Sequence, residues 1–307
     1  MSLIVVGTMA YDAIETPFGK TDKIVGGSAT YAAYSASFFV KKIGQISIVG
    51  NDFDPAIIAD LNERGVATEG VEIVPDKPSF FWSGKYHLDM NTRDTLVTDL
   101  NVLADFNPVV PASYQGAEFL MLGNLMPKLQ RNVIEQLQQK PKLIVLDTMN
   151  FWMETALDDL LENLKIVDLL MVNDSEARQL TGEYSLVKAA KKILTMGPKY
   201  LIIKKGEHGA LLFHENEVFY APALPLEEVF DPTGAGDTFA GGFIGYLASS
   251  GVVNFDTMKS AIIAGSAMAS FCVEKFGPQR LQELTRSEIE GRIQEFISLV
   301  QFDIQLG

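Results

Sequence analysis

At 307 residues the chain has room for one large α/β domain with an appendage or for two ordinary domains, and 47% hydrophobic against 21% charged residues describe a protein with a real core. A formal net charge of −14 argues against a general nucleic-acid or anionic-membrane binder, because such partners reward clustered Lys and Arg. It leaves room for a local loop that binds a small anion, and the single cysteine, Cys272, rules out an internal disulfide.

The opening MSLIVVG has a short apolar run without a basic leader, so it reads as a first strand and not as a signal peptide. No apolar stretch reaches the roughly 18 residues of a spanning helix, and the expected compartment is the cytoplasm. Strand-like runs then recur at 3–7, 45–50, 117–123, 142–147, 168–173 and 199–206. They are rich in Leu, Ile and Val without alternation, as strands covered on both faces are. Segments with helical spacing lie between them, at 54–64, 127–138, 154–164, 174–180 and 186–196. This alternation predicts a layered α/β domain with a mainly parallel central sheet. From 235 onward the chain reads mostly as helix.

Two segments break the rhythm. Residues 10–25 are polar and hairpin-like, with Pro17, Gly19 and Lys20 at a turn, and residues 71–100 alternate like strands with one wet face. Both follow core strands. They are expected to form a small β-sheet lid over the C-terminal strand edges, where open α/β sheets bind ligands, within a single domain over 1–307.

The run DPTGAGDTFAGGF at 231–243 carries the most chemistry. Pro232 disfavours helix at Asp231, Gly234 and Gly236 permit a tight turn, and small residues continue as a helix to about Ser250. Unpaired backbone N–H groups at such a helix start make an anion site. Ala240, Gly241 and Gly242 would let the helix pack very close to its neighbours. A carboxylate in the first turn, Asp237, also has an ordinary explanation, since acids there favour the helix dipole.

The full run resembles the second signature of the PfkB/ribokinase family of carbohydrate and nucleoside kinases. The resemblance implies a ribokinase-like α/β/α fold and transfer of the γ-phosphate of Mg-ATP to an alcohol. It implies that Asp237 is the base that takes the hydroxyl proton, and that the N–H groups of Gly234, Ala235 and Gly236 form the anion hole. It also implies that Asp231 and Thr233 contribute to a monovalent-cation site, for potassium or a similar ion. Such a transfer needs alignment and charge stabilisation more than covalent chemistry.

Further segments match the family in order. VNDSEARQLTG at 172–182 has the spacing of a helix cap; in the family, the residues matching Asn173 and Glu176 hold the metal-bound phosphates through water, Glu176 on the Mg²⁺ side. KKGEHGALL at 204–212 resembles a strand–turn that lies along the nucleotide, through Lys204, Gly206 and Gly209, with Thr233 also on the ATP side. GSAMASFCVEKFGPQ at 265–279 lies where family members line the adenine pocket, although close helix packing explains its small residues equally well. Asp12, in GTMAYDAI, and Gly26 with Gly27, in GGSATYAAYSAS, match the acceptor site. There the sequence departs from its relatives, because Tyr31 stands where they usually have asparagine. There is no P-loop motif, no dinucleotide fingerprint after the first strand, and no metal-site spacing among His87, His208 and His214.

The lid carries Phe80, Phe81, Trp82 and Tyr86, which could stack on a nucleobase, pack as lid core or pair two copies as a homodimer. The ending ASFCVEKFGPQ is also similar to that of nucleoside-kinase members. The expected acceptor is the 5′-hydroxyl of an adenosine-type nucleoside. A ribose- or fructose-type sugar, a pyridoxal-type vitamin, and a non-catalytic nucleotide or sugar sensor are the alternatives.

Overall fold

The computed structural model describes residues 1–301 and 303. Nine strands form the large sheet, in the spatial order Glu217–Ala221, Ala210–His214, Tyr200–Lys204, Leu169–Asn173, Leu143–Asp147, Phe119–Leu122, Leu3–Val6, Ile43–Gly50 and Val66–Val74. The seven from Tyr200–Lys204 onward run parallel; the hairpin Ala210–His214 and Glu217–Ala221 adds two antiparallel strands at one edge.

The unalternated strands are explained by two cores. In the first strand, Leu3 and Val5 join one apolar cluster while Ile4 and Val6 join the other, on the opposite face of the sheet. Helices Ser28–Ala36, Ala235–Ser250 and Phe255–Cys272 cover the first face through residues such as Ala29, Phe243 and Met258. Helices Pro127–Gln136, Leu157–Leu164 and Leu186–Leu194 cover the second through Val133, Leu160 and Ala189. Each fully buried Leu or Ile contributes about 1.5–3 kcal/mol, so a buried parallel sheet is the stable outcome for these runs. The small residues of the Ala235–Ser250 helix act as expected: a side chain on Gly241 would strike the backbone of Ala32, and one on Gly242 would crowd Gly265 in the helix Phe255–Cys272.

A second, five-stranded sheet orders Gly19–Lys20, Ala10–Thr16, Phe80–Tyr86 and Arg93–Asp99 side by side, with Ile24–Gly26 also pairing Ala10–Thr16. The hairpin at 10–25 therefore forms, closed by Glu15 opposite Lys20. The start of the 71–100 segment differs from expectation, since residues 71–74 finish the strand Val66–Val74 of the large sheet. That strand is an edge, mostly half-buried or exposed, and so lacks the continuous apolar run of the inner strands. The helix expected over 154–164 is two helices, Asn150–Thr155 and Leu157–Leu164, broken at Ala156, whose ψ of 38° is not helical.

Candidate active site

The C-terminal ends of the parallel strands, the start of the Ala235–Ser250 helix and one face of the small sheet converge on a single region. Its turn is held by Asp231, which is 1% exposed. Oδ1 of Asp231 accepts the N–H of Thr233 at 2.9 Å and Oδ2 accepts that of Gly277 at 3.0 Å. Gly234 then takes a left-handed φ of 75° and caps the helix. Of the three N–H groups expected to form the anion hole, that of Ala235 donates to the carbonyl of Pro232 at 3.2 Å. Those of Gly234 and Gly236 have no partner among the described residues. Gly236 is helical, and its missing side chain has another use: a Cβ there would stand 3.1 Å from Nζ of Lys204.

Asp237 lies in the first turn of this helix, half-buried, with no side-chain hydrogen-bond partner among the described residues. Burial, with the nearby charge of Asp147, pushes its carboxyl up to about 7, against the opposing pull of Lys204 and Arg93. Lys204 ends the strand Tyr200–Lys204 and reaches past Leu169–Asn173 to Asp147, at the end of Leu143–Asp147, with Nζ 2.7 Å from Oδ2.

Asn173 and Glu176 form a complete capping box at the start of Asp174–Thr181. Oδ1 of Asn173 accepts the N–H of Glu176 at 2.8 Å, and Oε2 of Glu176 accepts that of Asn173 at 2.7 Å. Burial raises Glu176 to about 7 in spite of this bond. Gly206 opens a short 3₁₀ turn, Gly206–His208, and faces the side chain of Asn91 on the small sheet's 87–92 turn. Gly209 leaves room for the carbonyl of Ala221 in the neighbouring strand.

On the acceptor side, Asp12 is 5% exposed and is pushed up to about 8 by burial and by the charges of Asp231 and Asp237, with no hydrogen bond to relieve it. The absence of a side chain on Gly26 makes the space for this carboxylate, and Gly27, at φ 97°, abuts the carbonyl of Thr8. Tyr31, expected on this side, is fully buried within range of Asp12 and Asp231; its ring packs beneath Gly234, and its hydroxyl has no partner among the described residues. The small sheet supplies Trp82, in register beside Asp12, and Tyr86, whose hydroxyl accepts from Oγ1 of Thr233 at 3.1 Å.

Two site residues escape a sequence reading. Asp147 ends an apolar strand and matches no motif. Arg93 lies on a strand exposed along its whole length, yet its charge favours ionisation of Asp12, Glu176 and Asp237 together. A lone basic residue in a polar strand carries no signal of that kind. Among the described residues no cluster of His, Cys, Asp and Glu has the grouping of a dedicated metal site, and no helix is long and apolar enough to cross a membrane.

Known proteins are similar to this chain in sequence and in fold. A cytidine kinase of Thermococcus kodakarensis is 30% identical over 250 residues, 80% of this chain and 87% of that protein. The fold matches a nucleoside kinase of Burkholderia thailandensis solved with inosine, at a TM-score of 0.77 and 23% identity over 97% of this chain and 99% of that one. It also matches an E. coli chain provisionally described as a ribokinase II and solved with ATP and Mg²⁺, at a TM-score of 0.78 and 20% identity over 96% and 99%. Residues 2–284 match the pfkB family of carbohydrate kinases, and the chain belongs to that family of phosphotransferases.

Proposed function

We propose that this kinase moves the γ-phosphate of Mg-ATP to the 5′-hydroxyl of a nucleoside. The observation that carries the reading is Trp82. The six-membered ring of its indole occupies the space over Gly84, and its Nε1–H donates to Oγ1 of Thr95 at 3.3 Å. Glycine lets the ring lie against the sheet, partly exposed and one strand from Asp12. An aromatic shelf beside a carboxylate suits an acceptor that has both a flat ring and hydroxyls, and a simple sugar would leave the shelf unused. The similarity to kinases named for cytidine, and solved with inosine, agrees with this.

The residues fit Mg-ATP on two observations: a half-buried lysine, and N–H groups at a helix start without partners among the described residues. Lys204 and the N–H groups of Gly234 and Gly236 would receive the phosphate oxygens, and Asn173 with Glu176 would hold the metal through water. Mg-ATP supplies the phosphoryl group and the charge that offsets its oxygens. Asp12 grips the acceptor hydroxyls, with Gly26 and Gly27 framing it, while Asp237 takes the proton of the attacking hydroxyl. Gly206, Gly209 and Thr233 shape the nucleotide side. Tyr31 supports the turn and does not grip the acceptor.

A monovalent cation beside Asp231 and Thr233 belongs to the same reading, because the buried Asp231 carboxylate accepts two backbone N–H groups and pairs with no cationic side chain among the described residues. Activity with potassium replaced by tetramethylammonium tests it. Pairing of two copies through the small sheet is supported by its exposed edge strand, where Leu96 and Val97 are 57% and 40% exposed; light scattering of Leu96→Glu tests that. The cytoplasm is the compartment that suits an ATP-dependent enzyme with one free thiol.

The deciding experiment is ADP release over cytidine, inosine, adenosine, ribose, fructose and pyridoxal. Turnover on a nucleoside is expected. Turnover on a sugar or on pyridoxal alone would sink the nucleoside reading, and nucleotide binding without any turnover would make the protein a sensor.

A further inference from the structure

Asp147 has no part in the roles assigned above, yet it is the group most directly attached to them. It is 5% exposed at the end of a central strand. Its Oδ1 accepts the N–H of Thr148 at 2.9 Å, which fixes the rotation of the carboxylate, and its Oδ2 lies 2.7 Å from Nζ of Lys204. The same ammonium group lies against Gly236, in the first turn of the helix that carries Asp237. Lys204 therefore stands between two anionic destinations: the Asp147 carboxylate on the sheet, and the turn whose free N–H groups suit a phosphate.

We propose that Asp147 is a positioning residue that parks Lys204 beside the signature turn and yields it to the phosphate when the nucleotide binds. The inference rests on the phosphate-binding role of Lys204 under the proposed function.

The charges around the base show why a parking place matters. Asp237 feels Asp147 and Lys204 from the strand ends and Arg93 from the small sheet; Asp12 lies within range of it, and Glu176 within range of Lys204. Asp237 has no hydrogen-bond donor of its own among the described side chains. Without Asp147, Lys204 is left with Glu176 and Asp237 as nearby carboxylates, and it is free to pair with Asp237. That pairing would keep Asp237 ionised but lower its affinity for a proton, and a base must accept one. Asp147 thus serves twice, by holding the lysine off the base and by opposing its charge. It does so at a cost to nucleotide affinity, because a fixed carboxylate beside the phosphate site competes for the same lysine.

Asp147→Asn has the same shape and still accepts the Thr148 N–H, but it turns its NH₂ towards Nζ of Lys204, so it removes the charge and the hydrogen bond to the lysine together. Two opposite changes are expected: Mg-ATP binds about five- to tenfold tighter by titration calorimetry, while turnover at saturating ATP falls about tenfold or more. The acid limb of kcat/KM should move to lower pH. Asp147→Glu, which keeps the charge, should return the affinity to within about twofold of wild type. In a Lys204→Gln background, Asp147→Asn should change turnover by less than about twofold, since the two residues act as one unit.

A parallel fall in affinity and turnover would make Asp147 a merely structural residue and overturn the proposal. So would affinity and turnover that both stay unchanged, or full additivity with Lys204→Gln. Failure of the wild type to release ADP with any acceptor would instead sink the proposed function. The calorimetric comparison would still decide the role of Asp147.

Discussion

The ring of Tyr31 fills the space directly beneath Gly234, so the two residues jointly set the shape of the turn that starts the Ala235–Ser250 helix. A side chain on Gly234 would meet this ring, and the φ of 75° is itself unfavourable for any residue with a Cβ. Gly234→Ala should therefore cost about 1–3 kcal/mol of stability. It should also displace the free N–H groups and lower turnover by about two orders of magnitude. Thermal unfolding with saturating kinetics checks both effects. A variant with wild-type kcat would remove Gly234 from the anion hole.

Tyr31→Phe separates packing from recognition. The hydroxyl is buried without a partner among the described residues, so deleting it removes an unmet polar group and keeps the ring under Gly234. Stability should rise by about 1 kcal/mol with KM for the acceptor unchanged. An acceptor KM that rises tenfold or more would return Tyr31 to the substrate site.

Asp12 makes stability depend on pH with a definite sign. Its carboxyl is raised from 3.8 to about 8 in the folded protein. Below pH 4 it is protonated folded or unfolded, and its contribution to stability is fully present. As pH rises towards 8 the unfolded chain has already released the proton that the folded chain retains, and that contribution is lost. Asp12→Asn should therefore raise the melting temperature at pH 8, by the equivalent of about 1–3 kcal/mol, and change it little near pH 4. Its acceptor KM should rise at least tenfold through loss of the hydroxyl grip. Equal melting shifts at both pH values would show that Asp12 is not raised.

The turn and caps of the proposed phosphate half were legible because their parts are contiguous. DPTGAGD carries turn, helix start and the proposed base within seven residues, and the N-x-x-E spacing at Asn173 is a capping box in its own right. The proposed acceptor half is assembled from distant strands, and there single residues say less. Tyr31 follows the paired glycines, but a linear pattern does not show that its ring is buried beneath Gly234. Asp147 and Arg93 acquire their roles from sheet order and from the fold of the small sheet across the strand ends, neither of which a linear pattern contains. The misplacement of residues 71–74 has the same origin, since an edge strand of the large sheet and a small-sheet strand are both largely exposed and lack a continuous apolar run.

Trp82→Ala tests the shelf. If a nucleobase rests on the indole, acceptor KM should rise about tenfold for a nucleoside, because a stacked ring contact contributes about 1–3 kcal/mol, while kcat changes little. Ribose has no ring to stack, so any slow turnover of ribose should be unaffected. Equal losses on both acceptors would assign Trp82 to the packing of the small sheet.

Asp237 is expected to control the acid limb of activity. A base must be ionised to accept the hydroxyl proton, and burial raises this carboxyl from 3.8 to about 7. kcat/KM should therefore climb as pH rises towards 7 and level off above it, opposite in sign to the stability carried by Asp12 over the same range. Glu176 and Asp12 also titrate high, at about 7 and about 8, so the limb alone does not identify the group. Asp237→Asn does. It should keep Mg-ATP binding, lower turnover by about two orders of magnitude or more, and leave a residual rate without the limb near pH 7. If the variant is slow but retains the limb, the titrating group is Glu176 or Asp12, and Asp237 acts by charge or position instead of by taking the proton.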